Sequence, residues 1–297
     1  MEIKKYGAID IGSNAVRLLV ANVIEEKDKE TKFRKSSLVR VPIRLGADAF
    51  VTGEISENNK NRMVEAMKAF SLLMKVHGVE KYKACATSAM REASNGEQIV
   101  EKIFEESGIQ IDIIDGAKEA AIISSTDLKH LINSDETYLY VDVGGGSTEF
   151  TLFSRGEIVN SKSFKIGTVR LINNTKEKNK KIFSKVQNWI VKNTMDFKRI
   201  SLIGSGGNIN KLFKMSGLEL GRPMSYIYLN AQFEFLKSMT YEERISELSL
   251  NPDRADVIIP ATKIYLSAMK WSGARRIYVP KIGLSDGIVK SLYYNTI

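Results

Sequence analysis

Two glycine-rich turns in the sequence each follow an aspartate at the end of an apolar run. The first, AIDIGSN, contains Asp10 and Gly12, and the second, YVDVGGG, contains Asp142 and Gly144. Glycine lets the backbone approach a ligand closely, and the N–H groups of such a turn form a cradle for phosphate oxygens. The aspartate beside the turn can hold Mg²⁺, directly or through water. One glycine turn is weak evidence, since structure alone explains most of them, but two matching turns predict a site that grips one phosphate chain from both sides.

Two further segments carry groups that can bind phosphate. The segment GSGGN at 204–208 follows a predicted strand and opens a predicted helix, whose free N–H groups and dipole favour an anion. An ordinary strand-to-helix turn explains the same segment equally well. Thr87, Ser88 and Arg91 follow another predicted strand, where hydroxyls and a guanidinium can contact phosphate. A Ser/Thr helix cap beside a solvated arginine is the structural alternative.

The elements that must position these groups repeat along the chain. The first turn joins strands at 6–11 and 16–24, the second joins strands at 138–143 and 148–153, and the offset between the hairpins is 132 residues. So long an offset indicates a duplicated domain, because solenoid repeats recur every ~20–50 residues. Further predicted strands lie at 33–43, 82–86, 109–114, 200–203 and 276–279, and helices at 57–76, 97–106, 117–132, 180–195, 206–215 and 252–271. This order predicts two α/β domains at 1–125 and 126–297, with a C-terminal helix at about 285–297 that can pack back on the first domain.

Composition and charge limit the classes of partner. The chain has 44 Lys+Arg against 35 Asp+Glu, a net charge of +9, which suggests nucleic acid, a membrane surface or a phosphate-rich ligand. The single cysteine, Cys85, excludes an internal disulfide and is more typical of a small core residue than of a reactive thiol. No membrane-length apolar run and no signal peptide are visible, so a cytoplasmic location is expected. The lysine-rich run at 176–181 fits either the solvated start of a helix or a track for a polyanion.

The order of these motifs resembles that of the exopolyphosphatase/guanosine pentaphosphate phosphohydrolase family, within the actin/hexokinase/Hsp70-like superfamily. The resemblance covers essentially the whole chain through seven motifs, which begin at Ala8, Ala86, Asp115, Val141, Ile166, Gly204 and Arg254. It implies an α/β fold of two duplicated actin-like (ribonuclease H-like) domains with a cleft between them.

The resemblance also implies roles for individual residues. Glu119 falls on the position of a general base that would orient and deprotonate water for attack on a terminal phosphorus; a solvated glutamate at a helix start is the structural alternative. Asp10, Asp142 and Glu149 match acidic positions associated with Mg²⁺, and a monovalent cation is an additional candidate. The residues implied to contact phosphate are Ser13, Asn14, Arg17, Thr87, Ser88, Arg91, Gly144, Gly145, Gly146, Ser147, Thr148, Gly206 and Gly207.

The implied activity is Mg²⁺-dependent release of terminal orthophosphate from inorganic polyphosphate, from guanosine pentaphosphate, or from both. A non-catalytic sensor of polyphosphate or an alarmone, and an ATP-dependent phosphotransferase of the same superfamily, are the alternatives. Lys118, Lys165, Asn208 and the pair Ser285-Asp286 depart from the family pattern and leave the substrate preference open. We expect no membrane partner and no specific nucleic acid, and a homodimer is compatible with the sequence.

Overall fold

The computed structural model of the chain describes residues 1–124, 126 and 136–297, which fall into two compact units. Unit 1 contains Met1–Thr126 together with Leu284–Ile297, and unit 2 is Asp127–Gly283. Unit 1 is therefore discontinuous in sequence, and the chain returns to it after unit 2.

Unit 1 contains one five-stranded sheet. Its strands are β1 (Glu2–Ile11), β2 (Val16–Glu25), β3 (Lys32–Val41), β4 (Lys81–Ala86) and β5 (Ile111–Ile113). The strand order is β3-β2-β1-β4-β5, with β1, β2 and β3 antiparallel and with β4 and β5 parallel to β1. Alternate residues such as Ile9 and Ile11 enter the main core of this unit, as the period of two in a strand requires.

The helices of the first segment of unit 1 cover this sheet and lead to the predicted site residues. They are α1 (Leu45–Ala49), α2 (Glu57–His77), α3 (Ser88–Glu92), α4 (Gly96–Ser107) and α5 (Gly116–Ser124). The predicted start of α2 is confirmed, because the Ser56 hydroxyl accepts a hydrogen bond from the N–H of Asn59 at 3.4 Å. The helix predicted at 117–132 is observed as α5 up to Ser124, and its remainder lies outside the described residues apart from Thr126.

Unit 2 repeats the same strand arrangement. Its strands are β6 (Thr137–Val143), β7 (Thr148–Ser154), β8 (Glu157–Phe164), β9 (Ile200–Ser205), β10 (Met224–Ser225) and β11 (Arg276–Tyr278), in the order β10-β11-β9-β6-β7-β8. Strands β6, β7 and β8 are antiparallel, and β9 is parallel both to β6 and to β11. The series β8-β7-β6-β9-β11 thus has the order and directions of β3-β2-β1-β4-β5. The predicted duplication of an α/β domain is confirmed.

The helices of unit 2 differ from the prediction in several places, most clearly at 252–271. They are α6 (Thr168–Asn173), α7 (Lys176–Thr194), α8 (Gly207–Met215), α9 (Tyr226–Ser238), α10 (Tyr241–Ser246), α11 (Pro252–Ala255) and α12 (Ile258–Ser272). The single helix predicted at 252–271 is wrong, since the chain forms α11 and then α12. Pro260 lies in the first turn of α12, and a proline has no N–H to donate to the carbonyl of Asp256, as a continuous helix would require.

Helix α13 (Leu284–Tyr293) belongs to unit 1, where it packs against α5, β1 and β4. Its contact with α5 needs a glycine, because a Cβ placed on Gly287 would collide with the carbonyl oxygen of Ile122. At its two ends α13 is held by an ion pair of 2.9 Å between Asp286 and Lys35 and by the ring of Tyr293, which contacts Tyr6. In the part of the chain that is described, no helix combines the length and the apolarity that crossing a membrane requires.

Cys85 lies within β4 and is fully buried, as the sequence predicts for a small core residue. Burial, helped by the negative charge of Asp112, raises the pKa of the Cys85 thiol to about 12. The reactive thiolate is therefore scarce at neutral pH.

Candidate functional site

The two glycine turns have the same construction. The N–H of Gly12 donates to the carbonyl of Ala15 at 3.2 Å, and the N–H of Gly144 donates to the carbonyl of Ser147 at 3.0 Å. Both donors and both acceptors are separated by the offset of 132 residues found in the sequence. The repeat therefore extends to individual hydrogen bonds.

The first turn carries a neutralised charge pair. Asp10 lies opposite Arg17 in the β1–β2 ladder, and Nη1 of Arg17 is 2.6 Å from Oδ2 of the buried Asp10. The hydroxyls of Ser13 and Ser88 are hydrogen-bonded at 3.0 Å, so the first turn and the start of α3 meet. The N–H of Thr87 donates to the last carbonyl of β1 at 3.1 Å. Five residues predicted from separate motifs, three in the first turn and its strands and two at the start of α3, thus lie around one end of β1.

Glu119 is held at the start of α5 and is buried, with 9% of its surface exposed. The Asp115 carboxylate caps this helix by accepting from the N–H of Lys118 at 2.7 Å, while the Asp115 carbonyl accepts from the N–H of Glu119 at 2.9 Å. Nη1 of Arg91 donates to the carbonyl of Ile114 at 2.5 Å and so fixes the residue before the cap. Glu119 is therefore not the solvated glutamate of the structural alternative.

The second turn carries two carboxylates where the first carries an ion pair. Asp142 lies opposite Glu149 in the β6–β7 ladder, the register position that Asp10 and Arg17 occupy in the first unit. Oε1 of the buried Glu149 accepts from the hydroxyls of Ser147 at 2.7 Å and Ser163 at 2.9 Å. Carboxylates placed directly opposite one another repel, and a nearby cation relieves the repulsion.

This donor set fits Mg²⁺. Among the described residues, no group of three or more His, Cys, Asp or Glu side chains is placed to hold a metal ion. Mg²⁺ commonly uses only one or two carboxylates and completes its shell with water and substrate phosphate oxygens. Asp142 and Glu149 meet that requirement within unit 2, whereas Asp10 belongs to unit 1 and is paired with Arg17.

The backbone of the second turn is oriented by the start of α6. The carbonyls of Gly144 and Gly145 accept from the N–H groups of Thr168 at 3.0 Å and Val169 at 2.9 Å. The carbonyl of Gly146 accepts from Nε of Arg170 at 2.8 Å. Because these carbonyls bond to α6, the turn is held in one conformation.

The N–H groups of the same turn are suited to an anion. Within the described part of the chain, the N–H groups of Gly145 and Gly146 donate to no protein acceptor. Successive N–H groups of a turn form a concavity that binds phosphate oxygens. Beside them, the Thr148 hydroxyl donates to the carbonyl of Ile166 and so joins the start of β7 to the segment before α6.

The third glycine cluster lies beside Asp142. Gly206 has φ +112°, a conformation that residues with a side chain rarely adopt, and a Cβ there would lie 3.4 Å from Oδ1 of Asp142. Helix α8 begins at Gly207, so the positive end of its dipole faces this region. The hydroxyl of Tyr265 donates to the carbonyl of Ser205, the residue before Gly206. Burial and the charge of Asp142 raise the pKa of Tyr265 well above its usual value.

Three residues of this site were not predicted as functional from the sequence. Arg170 lies in the motif IGTVRL at 166–171, and its place in that motif was the available signal. Ser163 is a polar residue of an exposed edge strand, and Tyr265 has the spacing of a core residue in α12, so neither had a local signal. Their roles depend on strands and helices distant in sequence.

Comparisons with known proteins match the chain to one family. The model of the Ppx/GppA phosphatase family matches residues 23–295. A bifunctional 3-dehydroquinate synthase/phosphatase of Fusobacterium nucleatum is 31% identical over 304 residues, which cover 92% of this chain but only 44% of that protein. Exopolyphosphatase 2 of Mycobacterium tuberculosis is 24% identical over 327 residues, which cover 98% of this chain and 99% of that protein.

Solved structures share the whole fold. An exopolyphosphatase from Cytophaga hutchinsonii superposes with a TM-score of 0.87 at 24% identity, covering 98% of each chain. The Aquifex aeolicus member of the Ppx/GppA family superposes with a TM-score of 0.78 at 25% identity, covering 99% of each chain. The predicted fold of two actin-like domains is confirmed by these matches. By its family match, its relatives and its fold, the chain belongs to the Ppx/GppA phosphatase family.

Proposed function

We propose that this phosphatase releases terminal orthophosphate from inorganic polyphosphate or guanosine pentaphosphate. The observation that carries the proposal is the second turn, where the N–H groups of Gly145 and Gly146 lie next to the carboxylate pair of Asp142 and Glu149. A phosphate-binding cradle beside two carboxylates that suit a hard cation fits a phosphoanhydride, which is bound as its magnesium complex. The naming of the M. tuberculosis relative as an exopolyphosphatase supports the same substrate class.

In this proposal backbone and side-chain groups of unit 2 bind and orient the substrate. The N–H groups of Gly145 and Gly146 donate to oxygens of the terminal phosphate, and Asp142 and Glu149 would hold Mg²⁺. When bound, this ion neutralises charge on the phosphoryl oxygens. The hydroxyls of Ser147 and Ser163 orient the Glu149 carboxylate, and Arg170 keeps the turn in place.

For Glu119 we propose the role of general base that the family resemblance implies. Its carboxylate accepts a proton as a water oxygen bonds to the terminal phosphorus, and the bond from that phosphorus to the bridging oxygen breaks. The shortened chain leaves with the electron pair of that bond. A buried carboxylate at a capped helix start is held in one place, as a general base must be.

The test is phosphate release by Glu119→Gln, measured side by side on polyphosphate, guanosine pentaphosphate and ATP. We expect the variant to bind substrate while its kcat falls by ~10²–10⁴-fold, the usual contribution of general-base catalysis. Glu97→Gln is the matched control, since Glu97 also lies in the first turn of a helix, α4, but is exposed; its kcat should not change.

Three outcomes would contradict the proposal. A Glu119→Gln enzyme with near wild-type kcat would remove Glu119 as the base. Faster phosphate transfer from ATP than from either proposed substrate would favour the phosphotransferase. Tight binding of polyphosphate or guanosine pentaphosphate by a wild-type protein that hydrolyses neither would favour the sensor.

A further inference from the structure

Helix α7 presents a row of lysines on its solvent face. Lys178, Lys181, Lys185 and Lys192, here called the α7 lysine row, lie within about 60° of one another around the helix axis at 3.6 residues per turn. All four are exposed, and the opposite face of α7 is buried through Val186, Ile190 and Thr194. The row is about 21 Å long at a rise of 1.5 Å per residue.

The charge of this row is not balanced by its own helix. No aspartate or glutamate occurs between residues 178 and 194, and in the described part of the chain the row makes one ion pair, between Lys181 and Glu177 at 3.4 Å. Some lysines of other helices have closer acidic neighbours: Lys60 and Lys237 are 2.8 Å and 2.9 Å from glutamates on their own helices. With six lysines and one glutamate, α7 carries a net charge of +5.

Strand β8 extends the same basic surface. Nδ2 of Asn160 donates to Oδ1 of Asn193 at 2.7 Å, so β8 runs alongside the C-terminal half of α7. Nζ of Lys162 lies 5.2 Å from the ring centre of Phe164, whose ring contacts Trp189 at 6.0 Å between centres. Lys162 thereby adds a fifth positive charge beside the α7 lysine row.

The lysine-rich end of α7 lies toward the glycine turn of unit 2. Trp189 packs against Phe164, whose ladder partner is Thr148, near the turn. Asn193 instead contacts Asn160, four residues farther along β8 from that end. From Trp189 to Asn193, helix α7 thus runs away from the edge of the sheet that carries the glycine turn. The residues before Trp189, which include three of the four lysines of the row, therefore lie toward that edge.

We propose that the α7 lysine row is a docking track for long inorganic polyphosphate, outside the glycine turn. This inference rests on the proposed function and extends it to the length of the substrate. A linear polyanion can contact lysines spread over about 21 Å, whereas a nucleotide is too compact to do so. Single-stranded nucleic acid commonly stacks its bases on aromatic rings, and Trp189, the tryptophan of α7, is partly buried against Phe164 and Phe150, which makes nucleic acid the less favoured partner.

The experiment replaces all four lysines of the row with glutamine (K178Q/K181Q/K185Q/K192Q). The matched control K60Q/K68Q/K102Q/K237Q removes the same charge from other helices. Binding of long polyphosphate, tripolyphosphate, guanosine pentaphosphate and single-stranded nucleic acid is measured on the Glu119→Gln background at several salt concentrations. Turnover of tripolyphosphate is measured with Glu119 intact.

We expect the row variant to bind long polyphosphate at least tenfold more weakly at physiological salt. The slope of log K against log salt should fall in magnitude by about 3, from four lost contacts at roughly 0.7 each, the value for single-stranded polyanions. Affinity for the two short ligands, turnover of tripolyphosphate and all binding by the control variant should stay unchanged.

Each other result overturns the inference. Equal weakening by the row and control variants would show diffuse charge, and equal weakening of long and short ligands would show an effect on the turn itself. A loss confined to nucleic acid would assign the row to that partner. If the wild-type protein hydrolyses no phosphate substrate, the proposed function fails, but the binding comparison still decides whether the row holds polyphosphate.

Discussion

Asp142 and Asp10 occupy equivalent positions of the repeat but face opposite charges, Glu149 in one unit and Arg17 in the other. An amide at 142 removes part of the charge that holds a hard cation. We therefore expect Asp142→Asn to raise, at least tenfold, the Mg²⁺ concentration that gives half-maximal phosphate release. Asp10→Asn should leave that concentration near its wild-type value, because Arg17 already neutralises Asp10. Hydrolysis by the wild type that resists a chelator would contradict this prediction, and an equal shift in both variants would make Asp10 a third metal ligand.

A second prediction for single residues concerns Tyr265, whose hydroxyl bonds to the carbonyl of Ser205, just before Gly206 and close to Asp142. Tyr265→Phe leaves the buried carbonyl of Ser205 without this donor, which typically costs ~1–3 kcal/mol of stability, and loosens the turn at Gly206. We expect a lower kcat and a higher Mg²⁺ requirement in addition to a lower Tm. Thr262→Val is the control, since Thr262 is also fully buried on α12 but bonds within its own helix, to Ile258. If both variants change only Tm, Tyr265 is a structural residue and does not position the site.

At the scale of single residues, the sequence predicts those whose signal is local. The glycines of the two turns and the aspartates before them stand together in sequence, and the structure confirms their paired construction. The hydroxyl of Ser163 reaches Glu149 from the next strand, 14 residues away, and no local pattern indicates it. The role of Glu119 rests on the family resemblance, since a glutamate in a first helical turn is commonplace.

At the scale of elements, the contact between α13 and α5 is the tightest constraint near Glu119. A methyl group at Gly287 would force the backbone of α5 to move, and such overpacking costs ~1–3 kcal/mol. We expect Gly287→Ala to lower both the stability of unit 1 and the kcat, because α5 carries Glu119. Gly283→Ala is the matched control, as the nearest atom to its Cβ would be 4.0 Å away, and it should behave as wild type in thermal unfolding and phosphate release. Equal behaviour of the two variants would contradict the prediction.

Signals at both ends of an element helped its prediction most. Ser56 and Gly78 mark both ends of α2, and the observed helix agrees with the prediction to within a residue. Strand β8 was missed because seven of its eight residues are exposed, so it has no alternation between apolar and polar positions. Helix α9 was not predicted, although Ser225 caps it by accepting from the N–H of Tyr228 at 3.1 Å. The division of α11 from α12 needed the effect of Pro260 to be considered.

At the scale of the whole molecule, each unit has its own core and its own side-chain probe of unfolding. Both tryptophans, Trp189 and Trp271, lie in unit 2, and Cys85 lies in unit 1 on the face of β4 that α13 covers. We expect Ile288→Ala in α13 to speed the labelling of Cys85 by a thiol reagent in mild denaturant. The midpoint of the unfolding transition followed by tryptophan fluorescence, here called the tryptophan transition, should stay unchanged. Truncation of a buried isoleucine typically costs 2–5 kcal/mol.

The reciprocal control is Leu212→Ala, a fully buried residue of α8 in the core of unit 2. It should lower the midpoint of the tryptophan transition and leave the labelling rate unchanged, since the raised pKa of Cys85 keeps the thiol unreactive until unit 1 opens. If either variant changes both the labelling rate of Cys85 and the midpoint of the tryptophan transition, the two units unfold as one cooperative system.

Because unit 1 is discontinuous in sequence, the two units cannot complete their folding in the order in which the ribosome makes them. Contacts such as that of Thr31 with Tyr293 join residues 262 positions apart, and α13 emerges only after all of unit 2. At 5–20 residues per second, the nascent sheet of unit 1 waits roughly 10–30 s with its α13 face uncovered. Unit 2 is contiguous and can fold as soon as it leaves the exit tunnel. The first unit to be translated is therefore the last to be completed, and its exposed β1–β4 face is where a nascent chain would misassemble or meet a chaperone.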